Sequence, residues 1–209
     1  MPWIVFEGSE GVGKTTQIEM LSRKFDRLKI HHLLTREPGG TPFGEQVRGL
    51  FKTSGNLSPL TELYLLSASR NDHLTKKIKP ALQEGKFVIC DRFLDSTFVY
   101  QMSLKGLSKE IIDQVSSSMF EDLVPDLTII LSSKTFRTSE RKVKDHHDLL
   151  GYDDLLKLNH YYEELAHQNT PYPNGKVPKR RIIEAKGDRE DVGKEIWNLV
   201  KQEFGLKDE

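Results

Sequence analysis

Cysteine is almost missing from this chain: Cys90 is the only one in 209 residues. That excludes an intramolecular disulfide framework and suits a reducing compartment. Long apolar runs are lacking too. Stretches such as LTIIL at 127 to 131 fall far short of the roughly 20 residues that span a bilayer. The first apolar segment begins at Trp3, which leaves no space for a secretory leader, so a cytoplasmic protein is expected. Neither sign of charge is in excess, with 31 Lys and Arg against 31 Asp and Glu. A sequence-blind nucleic-acid binder needs a cationic surplus, so nucleic acid is not an expected partner, and neither is a membrane. No internal repeat or low-complexity linker interrupts the chain, and residues 1–209 read as one domain with room for a real core.

What the chain does have is alternation. Short apolar runs at Trp3 to Glu7, His31 to Thr35, Phe87 to Asp91, Leu127 to Leu131 and Arg181 to Ala185 read as strands. Helical spacing appears between and after them. Val192, Ile196, Leu199, Val200 and Phe204 form one stripe, and Leu155, Leu158, Tyr162 and Leu165 another. A long helical stretch runs from Pro59 toward Gly85, with Pro80 expected to bend or break it. This order implies an α/β fold of three layers, a parallel sheet covered by helices on both faces. In such sheets ligands sit at the carboxyl ends of the strands. The segments expected to carry chemistry are therefore 8–16, 36–48, 91–101, 132–148 and 186–189.

The first of these contains GSEGVGKT, residues 8–15, with the spacing G-x-x-x-x-G-K-[ST] of a phosphate-binding P-loop. Gly8, Gly11 and Gly13 let backbone N–H groups approach phosphate oxygens, and the helix beginning at Lys14 adds its positive end. Lys14 supplies a mobile cation, and the Thr15 hydroxyl suits Mg2+. The whole segment from Gly8 through Ser9, Glu10, Gly11, Val12, Gly13, Lys14 and Thr15 to Thr16 is read as the ATP site. A chance glycine-rich turn is the bland alternative, but the strand before it and the spacing Ile18, Leu21, Phe25 after it supply the required context. FVICDR at 87–92 ends a buried strand in Asp91, a second candidate for holding Mg2+; alone it could equally cap the next segment. Cys90 is expected to pack in the core.

Three further stretches, TREPGGT at 35–41, DRFLDS at 91–96 and YQ at 100–101, taken with GSEGVGKTT, resemble the thymidylate kinase family. The resemblance runs through nearly the whole chain, including IKPAL at 78–82 and PDLTIIL at 125–131. It implies the P-loop NTPase fold with a five-stranded parallel sheet, flanking helices, a mobile lid at about 132–150 and a homodimer. The implied reaction is ATP-dependent phosphorylation of dTMP to dTDP, in dTTP synthesis. Arg92 resembles the family arginine that holds both substrates in line; a surface ion pair is its plainer reading. Leu66 and Arg70 lie one helical turn apart, where the family places an aromatic on thymine and an arginine at the base edge. A donor such as Arg70 suits the pyrimidine 4-carbonyl and clashes with the amino group of cytosine; without the resemblance, Arg70 would be a solvated helix residue. Gln101 has both donor and acceptor and can complete that edge. Glu10 makes sense pointing away from ATP, accepting from the deoxyribose 3′-hydroxyl. Tyr100 matches the sugar-packing tyrosine, and Arg48 an acceptor-pocket position. Arg36 and Glu37 could instead brace the turn at Pro38.

The chain also departs from the family pattern. Leu66 replaces a usual phenylalanine, which predicts weaker dTMP binding, with Phe93 or Phe98 as possible compensation. Thr97 stands where serine is common, and YQ is followed by MSLKG, which predicts a reshaped pocket rim. The lid lacks its usual arginine pattern and offers Asp145, His146, His147 and Asp148. Of Arg137, Arg141, Lys142 and Lys144, Arg141 is the first candidate for the transferred phosphate. Neither His31–His32 nor His146–His147 has the partners of a zinc site. KVPKRR at 176–181 reads as a solvated edge. Residues 185–189 lie where relatives hold adenine through backbone contacts. Two rivals remain open: a kinase for dUMP or a broader pyrimidine set, and a degenerate kinase that binds ATP without transferring it.

Overall fold

The computed structural model describes residues 2–120, 123–134 and 151–208. Five parallel strands, β1 (Trp3–Glu7), β2 (His32–Arg36), β3 (Phe87–Asp91), β4 (Leu127–Ser132) and β5 (Arg180–Glu184), form one sheet in the order β2-β3-β1-β4-β5. All five were legible as apolar runs, with β2 and β5 displaced by one residue. In β5 the shift has a cause, because Arg180 is drawn into register opposite Thr128 by a buried ion pair described below. Every residue of β1 and β4 is buried, so they need no polar alternation.

Helices flank this sheet. α1 (Lys14–Arg27) buries Ile18, Leu21 and Phe25, the expected stripe, and packs against α8 (Arg189–Phe204). α7 (Tyr152–His167) lies along β4 and β5 on Leu155, Leu158, Tyr162 and Leu165. The connection from β2 to β3 runs through α2 (Pro42–Thr53), α3 (Pro59–His73), a π-helical turn at Leu74–Ile78 and α4 (Lys79–Gln83). Pro80 therefore does not break the helix. The wider π turn just before it absorbs the missing N–H. After β3 come α5 (Leu94–Thr97), a second π segment at Phe98–Leu104 and α6 (Lys109–Phe120).

The register places the chemistry. Phe6 pairs with Asp91, so the loop after β1 and the loop after β3 leave the sheet side by side. Cys90 is fully buried between them, as expected. The expected lid lies outside the described residues from 135 to 150, and the candidates Arg137, Arg141, Lys142 and Lys144 lie with it.

Candidate active site

The loop after β1 turns at Gly8, whose φ is +135°; a Cβ there would stand 2.4 Å from the Leu131 carbonyl oxygen. Only glycine fits so close to β4. Gly13 caps α1 in the left-handed region, φ 95°, and no side chain bonds the first amides of the helix. Those N–H groups remain for an anion. Lys14 Nζ donates to the carbonyls of Gly8 and Ser9, both at 2.7 Å. Burial first, then the nearby positive charge of Arg92, pushes the lysine down to about 7. The Val12 side chain belongs to the core, so only its backbone can face phosphate, whereas Thr15 and Thr16 are exposed at the start of α1.

Thr15 and Asp91 line the same cleft. Asp91 Oδ1 is buried without a hydrogen-bond partner, which is what a carboxylate reserved for a cation would show. Among the described residues no group of three or more His, Cys, Asp and Glu is placed to hold a metal. One hydroxyl and one carboxylate match Mg2+, which keeps several waters and shares itself with phosphates.

A second cavity, partly open to solvent, borders the glycine-rich loop at Glu10. Glu10, Arg92, Ser96 and Tyr100 line it, together with Leu66, Arg70, Thr97 and Gln101. Glu37, Pro38, Arg48, Phe51 and Phe93 complete it. Arg92 holds a left-handed backbone, φ 68°, an uncommon conformation for a non-glycine residue. Its guanidinium is turned toward the glycine-rich loop. Nη2 is 3.8 Å from Glu10 Oε1, while Nη1 donates to Tyr162 Oη at 2.9 Å and Ser96 Oγ at 3.2 Å. Its Cζ lies 5.4 Å from the Tyr100 ring centre.

Behind Arg92 sits Glu7, fully buried, accepting from Phe93 N at 2.7 Å, Ser96 N at 3.1 Å and Ser96 Oγ at 2.7 Å. It ties the end of β1 to the start of α5. Burial, with Asp95 nearby, pushes its carboxyl up to about 7 against the pull of Arg92 and the donors. The folded chain therefore keeps this proton to higher pH than the unfolded chain, whose Glu titrates near 4.5. Its contribution to stability is complete below the unfolded value and is lost as pH rises through about 7. Glu7→Gln is expected to flatten the loss of stability between about pH 5 and 7.5 relative to wild type, read by urea denaturation at each pH. Parallel curves for the two proteins would remove Glu7 as the cause.

Arg70 is 2% exposed. Its Nε donates to Glu37 Oε2 at 2.7 Å, and Nη2 donates to Phe93 O at 3.2 Å and Thr97 Oγ1 at 3.1 Å. Nη1 alone has no partner. Arg70 is thus not a solvated helix residue; it is a braced donor in a cavity wall. Glu37 in turn accepts from His73 Nδ1 at 3.0 Å, and His73 Nε2 meets Thr35 Oγ1 at 2.6 Å. Arg36 braces the turn through Glu45 at 2.9 Å, so of the two loosely held residues only Glu37 reaches the cavity. Gln101 also lines the cavity, and its Nε2 donates to Glu62 Oε2 at 2.9 Å. Arg48 Nη1 donates to Pro38 O at 3.4 Å, so the helix after the glycine pair leans on the turn it follows.

The thymidylate kinase family model matches residues 6–176. The chain belongs to the thymidylate kinase family. A thymidylate kinase of Symbiobacterium thermophilum is 36% identical, covering 96% of this chain and 92% of that protein. One from a Marinomonas species is 37% identical over 93% and 91%. The crystal structure of thymidylate kinase from Ehrlichia chaffeensis superposes with a TM-score of 0.76 at 30% identity, covering 95% of this chain and 98% of that one.

Within this family fold, sequence reasoning missed several site residues. Phe51 lies one helical turn beyond Arg48 on α2, so a search at that spacing would have found it; Ser96 follows Arg92 across a left-handed turn that helical spacing does not report. Tyr162 was read only as one member of an apolar stripe, and its hydroxyl contact with Arg92 has no local signal. Of the two phenylalanines considered beside Leu66, Phe93 lines the cavity; Phe98 packs against Tyr172 in the core. His32 is held by Ser22 and the Ile30 carbonyl, a structural role.

Proposed function

We propose that this chain transfers the γ-phosphate of ATP to dTMP, giving ADP and the dTDP needed for dTTP synthesis. The observation that carries the proposal is the position of Arg92. It reaches toward the glycine-rich loop at Glu10 and lines a cavity that also presents an apolar residue, a braced cation and an amide. Lys14 and the first amides of α1 hold the donor phosphates, with Lys14 turning from the Gly8 and Ser9 carbonyls to do so. Thr15 and Asp91 hold Mg2+, which supplies neutralisation of the phosphate charge. Arg92 grips the acceptor phosphate and aligns it with the donor. Glu10 accepts from the sugar 3′-hydroxyl, Tyr100 packs on the sugar, and Arg48 adds positive charge at the pocket mouth. Arg70 donates to the base 4-carbonyl, braced by Thr97. No general base is required, because the acceptor phosphate is already anionic. Arg141 is the proposed lid cation.

ADP release measured with dTMP, dUMP, dCMP and dGMP tests this reading. dTMP is expected to lead, with dCMP and dGMP far behind. ADP formation that responds to no monophosphate would overturn it in favour of a nucleotide-binding protein without transfer. Leu66→Phe is expected to lower the KM for dTMP roughly fivefold, a part of the stacking energy of a base on an aromatic ring. An unchanged KM would mean that Phe51 and Phe93 already supply the contact.

A homodimer is part of the same reading. Phe43 and Leu50 on α2 and Leu60 and Tyr64 on α3 are exposed, and within each helix the two share a face. Light scattering checks it directly. A reducing, cytoplasmic setting agrees with the free thiol of Cys90.

A further inference from the structure

Glu62 is a buried carboxylate that the mechanism above does not use. It is 5% exposed, in the first turn of α3. Its Oε2 accepts from Gln101 Nε2 at 2.9 Å and its Oε1 from Lys105 Nζ at 2.5 Å. Gln101 is itself 3% exposed and lines the nucleotide cavity; Lys105 closes the π segment that carries it. Burying a carboxylate is costly unless it is paired. Lys105 provides the pairing, and Glu62 spends its other oxygen on one amide.

That choice has a chemical consequence. A free carboxamide can present either its NH2 or its carbonyl by rotating half a turn. An ionised carboxylate only accepts, so Glu62 must face the NH2 end. The carbonyl oxygen is then the group that Gln101 can turn toward a ligand. Arg70 lines the same cavity, only donates, and has Nη1 without a partner. Between them the two side chains offer the cavity one fixed donor and one fixed acceptor. Thymine and uracil present the complementary order, a 4-carbonyl acceptor beside an N3–H donor. Cytosine presents the reverse, a 4-amino donor beside an N3 acceptor.

We propose that Glu62, held by Lys105, is a positioning residue that sets the pyrimidine preference of this site by locking the orientation of the Gln101 carboxamide. The proposal rests on dTMP being the acceptor. Two acidic residues would then divide the work: Glu37 aims the donor and Glu62 aims the acceptor. Neither touches the base.

The test is a double-mutant cycle in steady-state kinetics. Glu62→Gln can either donate or accept, so it releases the amide. It is expected to raise the KM for dTMP about tenfold, the size of one well-placed hydrogen bond, with kcat and the KM for ATP within about twofold of wild type. The ratio of kcat/KM for dTMP over dCMP is expected to fall about tenfold as well, because a flipped amide suits cytosine N3. In a Gln101→Ala background, Glu62→Gln is expected to change neither quantity more than about twofold. Glu62→Leu, which fills similar space with no hydrogen-bonding group, gives the same readout should Glu62→Gln fold poorly. If the variants keep the wild-type KM and base preference, or if the losses persist in the Gln101→Ala background, Glu62 is only a staple between α3 and the π segment, and the proposal fails. A wild-type enzyme without activity on dTMP would overturn the acceptor assignment itself, a result separate from either.

Discussion

Arg92→Ala is expected to lower kcat/KM for dTMP by about a thousandfold, in the range seen when an arginine that stabilises phosphoryl transfer is removed. The expectation follows from where the guanidinium is held. Tyr162, Ser96 and the Tyr100 ring fix it from three sides, and Glu10 lies 3.8 Å from Nη2. This side chain costs little further entropy when substrate arrives, because its rotamer is already set. Its charge also acts on Lys14, one of the influences that lower the lysine, so both cations need incoming phosphates to balance them. Arg92→Lys is expected to restore only a small part of the rate, since a single ammonium cannot reproduce a bidentate grip. The backbone adds a control. Alanine keeps the Cβ that arginine already carries at φ 68°, so the left-handed strain is the same in both proteins and cannot explain a thousandfold loss. The coupled assay for ADP gives the rate, and a melting curve gives the stability. An Arg92→Ala enzyme within about tenfold of wild type would remove this residue from phosphate alignment and leave the proposed function without its main support.

The parts of this site that were legible in the sequence are those whose physics is local. The glycine-rich loop needs its glycines at fixed spacing because backbone must meet phosphate, and Gly8 faces the Leu131 carbonyl too closely for any side chain. The strands are legible because a parallel sheet covered on both faces admits only apolar runs, as in β1 and β4. Asp91 and Arg92 are legible as the polar end of such a run. Resemblance to a family then supplied Leu66, Arg70 and Gln101; without it Arg70 would have stayed a solvated helix residue. What stayed hidden is the support behind these residues. Glu7 looks like the last residue of a strand, Glu62 like a first-turn acid, and His73 like a basic helix end. Each is instead buried, bonded across 36 or more residues of chain to the side chain or backbone it steadies. No spacing rule reports such contacts, because they are made by the packing of elements after those elements exist.

Arg180 is the sharpest instance, and its replacement is expected to have the largest effect on stability. Within KVPKRR it reads as one of several solvated cations, yet it is 7% exposed, and that reading is wrong for this residue. Nε and Nη2 clamp Asp95 at 2.7 and 2.8 Å, while Nη1 donates to Thr170 O at 2.8 Å. Asp95 is fully buried in α5, one residue before Ser96, which Glu7 and Arg92 both hold. The pair joins the edge strand β5 to the short helix that follows Arg92. Arg180→Met would leave Asp95 buried without its cation, and breaking such a pair from one side costs about 3–5 kcal/mol. Asp95→Leu with Arg180→Met removes both charges and is expected to recover most of that loss, because an apolar pair in the same space carries no desolvation penalty. Urea denaturation of the two single variants and the double variant measures the cycle. Activity provides the second reading. If α5 shifts when Asp95 is released, Ser96 moves with it, and kcat of Arg180→Met falls even in the fraction that is folded. A loss below about 1 kcal/mol for Arg180→Met would put this pair among ordinary surface bridges and sever the link between β5 and Arg92.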